Sequence, residues 1–191
     1  MPNSICFPGG GIDKSDESKD WISFMRKNNM HHEPLKRNSL EYGIQKPFIF
    51  KNKDTSKFLD RNLSLRLTAI RETFEELGVV LCRDKSTDNS PFSEFFHSKD
   101  CDIVDWQNKI HNHKETLLGF CEKFNVVPDI PNVFEWSVWL TPTFLRPRRF
   151  ETAFYLVALN SMPSIYPESH EVQEYMVKVQ FILSLTSLFN P

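Results

Sequence analysis

Arg71-Glu72-Thr73-Phe74-Glu75-Glu76-Leu77-Gly78-Val79 sets three carboxylates in one helical patch, with an arginine beside them and a glycine behind them. Residues three and four apart share a helix face, so Glu72, Glu75 and Glu76 crowd their charges together. Such crowding is unfavourable without a cation and suits a metal site for phosphate chemistry; a solvated acidic face is the plainer alternative. The other side of the segment explains why a helix forms. Leu63, Leu67, Ile70, Phe74 and Leu77 recur at spacings of four and three, the stripe of a core-facing helix. Asp60, Asn62 or Ser64 can cap its start, and Gly78 can adopt the left-handed conformation that ends it before Val79-Val80-Leu81 opens a new element.

Upstream stands Phe7-Pro8-Gly9-Gly10, which together with residues 71–79 resembles the Nudix hydrolase signature GX5EX7REUXEEXGU, where U is a bulky apolar residue. The resemblance implies an α+β fold, an α/β/α sandwich around a mixed sheet. It also implies a divalent cation, magnesium or manganese, held by Glu72, Glu75, Glu76 and the carbonyl of Gly10, with Arg71 orienting a glutamate through an ion pair. The signature is split, however. Asp16, followed by Glu17, stands where the first glutamate belongs, and an insertion over residues 11–62 separates this loop from the helix. Eight residues before Arg71 the chain has Leu63 instead of a glutamate, so Asp16 or Glu17 is left to supply the carboxylate.

The split signature narrows the resemblance. Asp13, Asp20, Trp21, Trp136-Ser137-Val138-Trp139-Leu140-Thr141-Pro142, residues 148–154 and Tyr166-Pro167 look like the nucleoside-diphosphate-linked moiety X motif 19 type. That likeness implies a peroxisomal coenzyme A or acyl-coenzyme A diphosphatase yielding adenosine 3′,5′-bisphosphate and a 4′-phosphopantetheine product. The alternatives are a hydrolase of another nucleoside diphosphate linked to X, such as ADP-ribose or a dinucleotide, and a catalytically poor nucleotide-binding protein. The likeness covers residues 1–176 as one domain, with 177–191 an atypical tail.

Composition excludes some partners. The 191 residues carry a net charge of −2, which gives no broad attraction to nucleic acid. No apolar run can cross a bilayer: residues 177–189 are short and interrupted by Lys178 and Gln180. Cys6, Cys82, Cys101 and Cys121 are widely spaced, without a CxxC pair or a secretory leader, as in a reducing intracellular compartment. The chain ends in Leu188-Phe189-Asn190-Pro191, not a peroxisomal Ser-Lys-Leu, which leaves the cytosol open. His31-His32 and His111/His113 sit on polar stretches without paired cysteines, so zinc is not expected. Oligomeric state is left open.

Within the insertion, Trp21, Ile22, Phe24 and Met25 predict one short amphipathic helix in otherwise loop-like sequence. Ile103, Trp106, Ile110, Leu117, Cys121 and Phe124 predict a single packing helix stopped by Pro128. Residues 133–144 and 151–159 read as strands, the second deeply buried. Trp136 and Trp139, three apart, should face opposite sides of a strand, one in the core and the other a possible platform for a base, though core packing suits each.

Arg146-Pro147-Arg148-Arg149 is the best local source of positive charge, and Arg148 and Arg149 suit bidentate contact with an extra phosphate on the substrate. The resemblance implies that the general base is either a glutamate of the signature or a carboxylate on a later loop. Glu168, Glu171 and Glu174 are the loop candidates, Glu171 first, with His170 as its neighbour. Only residues 1–6 precede Phe7, which predicts a sheet lacking its first strand and a domain less active by itself than its family.

Overall fold

The computed structural model describes residues 7–30, 39–42, 46–52, 54–85, 92–142 and 150–168. Its longest element is helix α2, Arg61–Leu77, which follows α1, Asp20–Lys27. Of the three candidate caps for α2, Asp60 takes the role: its carboxylate accepts from Asn62 N. Ser64 instead donates its hydroxyl to the Asp60 carbonyl. Gly78 ends the helix at φ 68°, donating its N–H to Phe74 O at 2.8 Å. That left-handed turn also brings Tyr166 close, since a Cβ at position 78 would lie 2.9 Å from the tyrosine's own Cβ.

The predicted stripe is the core. Leu67, Ile70 and Phe74 are fully buried against Val80, Cys82, Phe120, Cys121 and Val127. Phe120 gathers Phe74, Phe96 and Trp106 around it, with ring centroids 5.1–5.3 Å away and planes steeply inclined, the favoured edge-to-face arrangement. The insertion contributes to this core: Trp21, Phe24 and Met25 of α1 are buried in it, and Trp21 Nε1 donates to Ser15 O at 3.0 Å. Part of the insertion is therefore structural.

The single helix predicted after Asp102 is two, α3 over Ile103–His111 and α4 over Leu117–Phe124. His113 adopts φ 53°, which a helix cannot contain, and the Thr116 hydroxyl caps the restart by accepting from Gly119 N. The second helix stops at Asn125, itself left-handed at φ 56°, and Pro128 lies beyond it in a strand.

Strands β1 (Cys82–Asp84) and β2 (Val126–Pro128) pair antiparallel, as do β3 (Phe134–Leu140) and β4 (Glu151–Leu156). One isolated parallel bridge joins Ser93 to Leu159. The α+β class holds, with two two-stranded sheets among the described residues. Arg66, fully buried, ties α2 to the second sheet: its Nε donates to Val133 O at 3.0 Å and its guanidinium lies 5.4 Å from the Tyr155 ring centre.

Strand β4 ends at Leu156 and is not deeply buried, since Thr152 and Leu156 are exposed. The two tryptophans also depart from expectation. A β-bulge between Glu135 and Ser137 leaves Trp136 without a cross-strand partner and breaks the alternation, and both Trp136 and Trp139 are about two-thirds exposed. Neither is a core residue. Among the described residues no helix is long and apolar enough to cross a membrane.

Candidate functional site

The site forms where the loop at residues 7–17 returns to the acidic side of α2. Asp16 is its anchor, 1% exposed. Its carboxylate accepts from Arg71 Nε at 3.0 and 3.2 Å, from the Thr68 hydroxyl at 2.9 Å and from Asp13 N at 3.0 Å. Glu17 turns away to pair with Arg61 at 2.7 Å. Of the two candidates for the missing carboxylate, Asp16 is the one that meets Arg71, so the two halves of the split signature are rejoined in space.

Arg71 uses every edge of its guanidinium. Nη1 donates to Glu75 Oε1 at 2.8 Å, while Nη2 donates to Glu72 Oε1 at 2.9 Å and to Gly11 O at 2.8 Å. Burial alone would weaken its charge, yet Asp16, Glu75 and Glu72 together hold its pKa above the ordinary arginine value. Burial pushes the carboxyls of Asp16 and Glu72 upward, opposed by Arg71. The arginine thus does part of what a cation would do for this patch.

The glycines complete the contact. Gly9 N donates to Glu76 Oε1 at 3.0 Å. A Cβ on Gly10 would run into the carboxylate of Glu72, so any larger residue here requires that side chain to shift from its place on Arg71. Gly10→Ala should therefore displace Glu72 and lower turnover by more than about tenfold. The thermal midpoint should stay within a few degrees of the parent, because the loop is exposed at this residue. Steady-state kinetics with a melting curve checks both, and parental turnover would disprove the close-approach role.

Gln107, not singled out from the sequence, and His111 and His113, read there only as a polar pair unsuited to zinc, lie at the patch. Gln107, buried on α3, donates Nε2 to the carbonyls of Glu75 (2.8 Å) and Tyr166 (2.9 Å). His111 Nδ1 lies 3.7 Å from Glu75 Oε2, and His113 Nδ1 lies 3.9 Å from Asp13 Oδ2. The sequence showed only a polar stretch there; packing of Ile110 and Gln107 against the core is what turns this end of α3 toward the site. Glu75 is consequently buried and not on an open face, unlike the partly exposed Glu72 and Glu76.

A later segment docks on the same helix end: Tyr166 N donates to Leu77 O at 2.8 Å and Glu168 N to Glu76 O at 2.9 Å. Glu168 is thereby brought beside the end of α2. Glu171, Glu174, His170, Arg146, Arg148, Arg149 and His31-His32 lie outside the described residues.

The donor set is chemically apt for a hard divalent ion, being carboxylates with a backbone carbonyl beside them. Among the described residues no three acidic, histidine or cysteine side chains are already arranged as a cage. Glu72 and Glu75 each direct one oxygen to Arg71, and Glu76 directs one to Gly9. A carboxylate oxygen accepts from more than one partner, so these side chains can serve an ion while keeping their contacts to Arg71 and Gly9.

A family model described as the NUDT19 Nudix domain matches residues 1–182. The chain belongs to this Nudix family. The Nudix resemblance read from residues 7–10 and 71–79 is borne out, and the domain is a Nudix hydrolase by membership. Among curated proteins, the acyl-coenzyme A diphosphatase NUDT19 of Xenopus laevis is 31% identical over 92% of this chain and 48% of the relative. That of Homo sapiens is also 31% identical, over the same shares. The chain spans about half the length of these relatives. A crystal structure of a Nudix hydrolase from Alicyclobacillus acidocaldarius aligns over 84% of this chain and 58% of that chain, at 22% identity and a TM-score of 0.44.

Proposed function

We propose that this Nudix domain hydrolyses the diphosphate linkage of coenzyme A or acyl-coenzyme A, giving adenosine 3′,5′-bisphosphate and a 4′-phosphopantetheine product. The observation that carries the reading is the closure of the split signature: Asp16 on Arg71, Arg71 on Glu72 and Glu75, and Gly9-Gly10 against Glu76 and Glu72. The names of the relatives, acyl-coenzyme A diphosphatases, supply the substrate class.

Glu72, Glu75, Glu76 and the Gly10 carbonyl would hold magnesium or manganese. When bound, such an ion neutralises phosphate charge and acidifies the attacking water. The chain's own contribution is orientation. Arg71 fixes Glu72 and Glu75, Asp16 fixes Arg71, and Gln107 holds the backbone of Glu75 to the segment bearing Glu168. Water oxygen attacks one phosphorus, the bridging phosphorus–oxygen bond breaks, and the proton passes to a carboxylate. Glu168 and Glu171 are the candidates for that base, Glu168 having the support of its hydrogen bond beside Glu76. Arg148 and Arg149 are assigned to the 3′-phosphate on their chemistry.

The test is product analysis with purified protein, magnesium, and a panel of coenzyme A, acetyl-coenzyme A, 3′-dephospho-coenzyme A, ADP-ribose and diadenosine diphosphate. Adenosine 3′,5′-bisphosphate from the first two, at specificity constants at least about tenfold above the rest, is the expected result. A preference for ADP-ribose or the dinucleotide would replace the substrate, and no magnesium-dependent turnover on any member would replace hydrolysis with binding.

A further inference from the structure

We infer that Trp139 and Phe7 form an aromatic ledge that stacks the nucleobase of the nucleoside diphosphate, an inference that rests on the reading of the site as one for such substrates. The ledge is built from three rings. Trp139 packs on Phe154 with centroids 5.3 Å apart, and Phe7 meets the same Phe154 edge-on at 6.1 Å. Phe154 is partly buried between them, whereas Trp139 is 68% and Phe7 77% exposed. Most of the surface of both rings is left to solvent although each is held against Phe154. Burying them would be favourable, and leaving them exposed costs solubility.

Register explains how the rings come together. Ser137 pairs with Phe154 and Trp139 with Thr152, so Trp139 and Phe154 are diagonal neighbours on one face of the β3–β4 sheet. The adjacent pair Glu135 and Tyr155, reached across the bulge, is directed to the other side, where Arg66 of α2 meets the Tyr155 ring. One face of the hairpin is thus given to the core helix and the other to the ledge.

Continuity with the site selects the occupant. Phe7 is two residues from Gly9, whose N–H donates to Glu76, and three from Gly10, which abuts Glu72. A diphosphate held at the glutamates would have one of its two substituents directed along Pro8 toward Phe7 and the Trp139 face. The rings are inclined to Phe154, Phe7 by 81° and Trp139 by 57°, with Thr152 and Ser137 as polar neighbours on the same face, and an aromatic surface edged by hydroxyls favours a planar heterocycle over a flexible acyl chain. Base–aromatic stacking tolerates any base, so the ledge supplies affinity while phosphate contacts supply selection.

Binding of adenosine 5′-diphosphate in magnesium is measured by titration calorimetry, so that the readout does not depend on turnover. Trp139→Ala should raise Kd about tenfold, Phe7→Leu should raise it severalfold, and Trp139→Phe should stay within about twofold of the parent. Inorganic diphosphate, which has no base, should bind all four proteins alike. Because both side chains are exposed, melting midpoints should be unchanged. Equal Kd for adenosine 5′-diphosphate in the parent and Trp139→Ala overturns the ledge, as does an equal loss of inorganic diphosphate binding. Failure of hydrolysis with Trp139-dependent nucleotide binding retained would overturn the diphosphatase reading and leave the ledge standing.

Discussion

Glu76→Gln should lower kcat about a thousandfold while the protein melts within a few degrees of the parent. The size follows from removing one ligand charge where the transferring phosphoryl group must be stabilised, which raises the barrier by about 4 kcal/mol. The small stability effect follows from local geometry. Glu76 is partly exposed, and the glutamine oxygen can still accept from Gly9 N, which is 3.0 Å from Oε1. Glu75 offers a poorer test, because Gln at that position would weaken a buried charge-assisted bond to Arg71, at a cost of about 1.5–3 kcal/mol. Turnover, the melting midpoint and manganese binding should be measured on one preparation. Parental kcat in Glu76→Gln would remove the helix from the metal reading, and lost kcat with unchanged manganese affinity would make Glu76 a base in place of a ligand.

What the sequence made legible was whatever depends on spacing along one element. The stripe from Leu63 to Leu77 and the face of Glu72, Glu75 and Glu76 follow from a helical period, and Gly78 ends the helix as its place suggests, whereas the choice of Asp60 over Asn62 and Ser64 as the cap came only with the fold. The break between α3 and α4 was hidden because the apolar positions kept helical spacing across it; a left-handed His113 leaves almost no compositional trace. The tryptophans were misread for a related reason. A strand's alternation holds until a bulge inserts one residue, and the bulge at Trp136 is set by pairing with β4, which is a long-range fact. In the site, the sequence left Asp16 and Glu17 as alternatives because they are adjacent; only the fold shows that one faces Arg71 and the other Arg61. Gln107 carried no signal and His111 was read only as part of a polar stretch; helix packing brings both to Glu75.

Arg71→Met should cost about 3–5 kcal/mol of stability at neutral pH, which for a chain of this size is a drop of roughly 6–20 °C in the melting midpoint. Methionine nearly conserves the buried volume, so the loss is electrostatic. Asp16 at 1% exposure would lose its counter-ion, and Glu72 and Glu75 would face it and each other without the guanidinium between them. Arg71→Lys should recover only part of the loss, because an ammonium cannot reach Asp16, Glu72, Glu75 and the Gly11 carbonyl together. The pH dependence has a definite sign. Burial already raises the folded pKa of Asp16 and Glu72, and removing Arg71 takes away the charge that opposes the rise. A carboxyl whose folded pKa exceeds its unfolded value binds its proton more tightly when folded. Its penalty is absent below the unfolded value, about 4, and grows as pH rises through the folded value. The gap in stability between Arg71→Met and the parent should therefore narrow as pH falls from 7 toward 4, in the absence of divalent ions. Denaturant titrations at several pH values measure it directly. A pH-independent gap would mean that the arginine acts through packing, and a midpoint within a degree or two of the parent would show that the buried network does not organise this site.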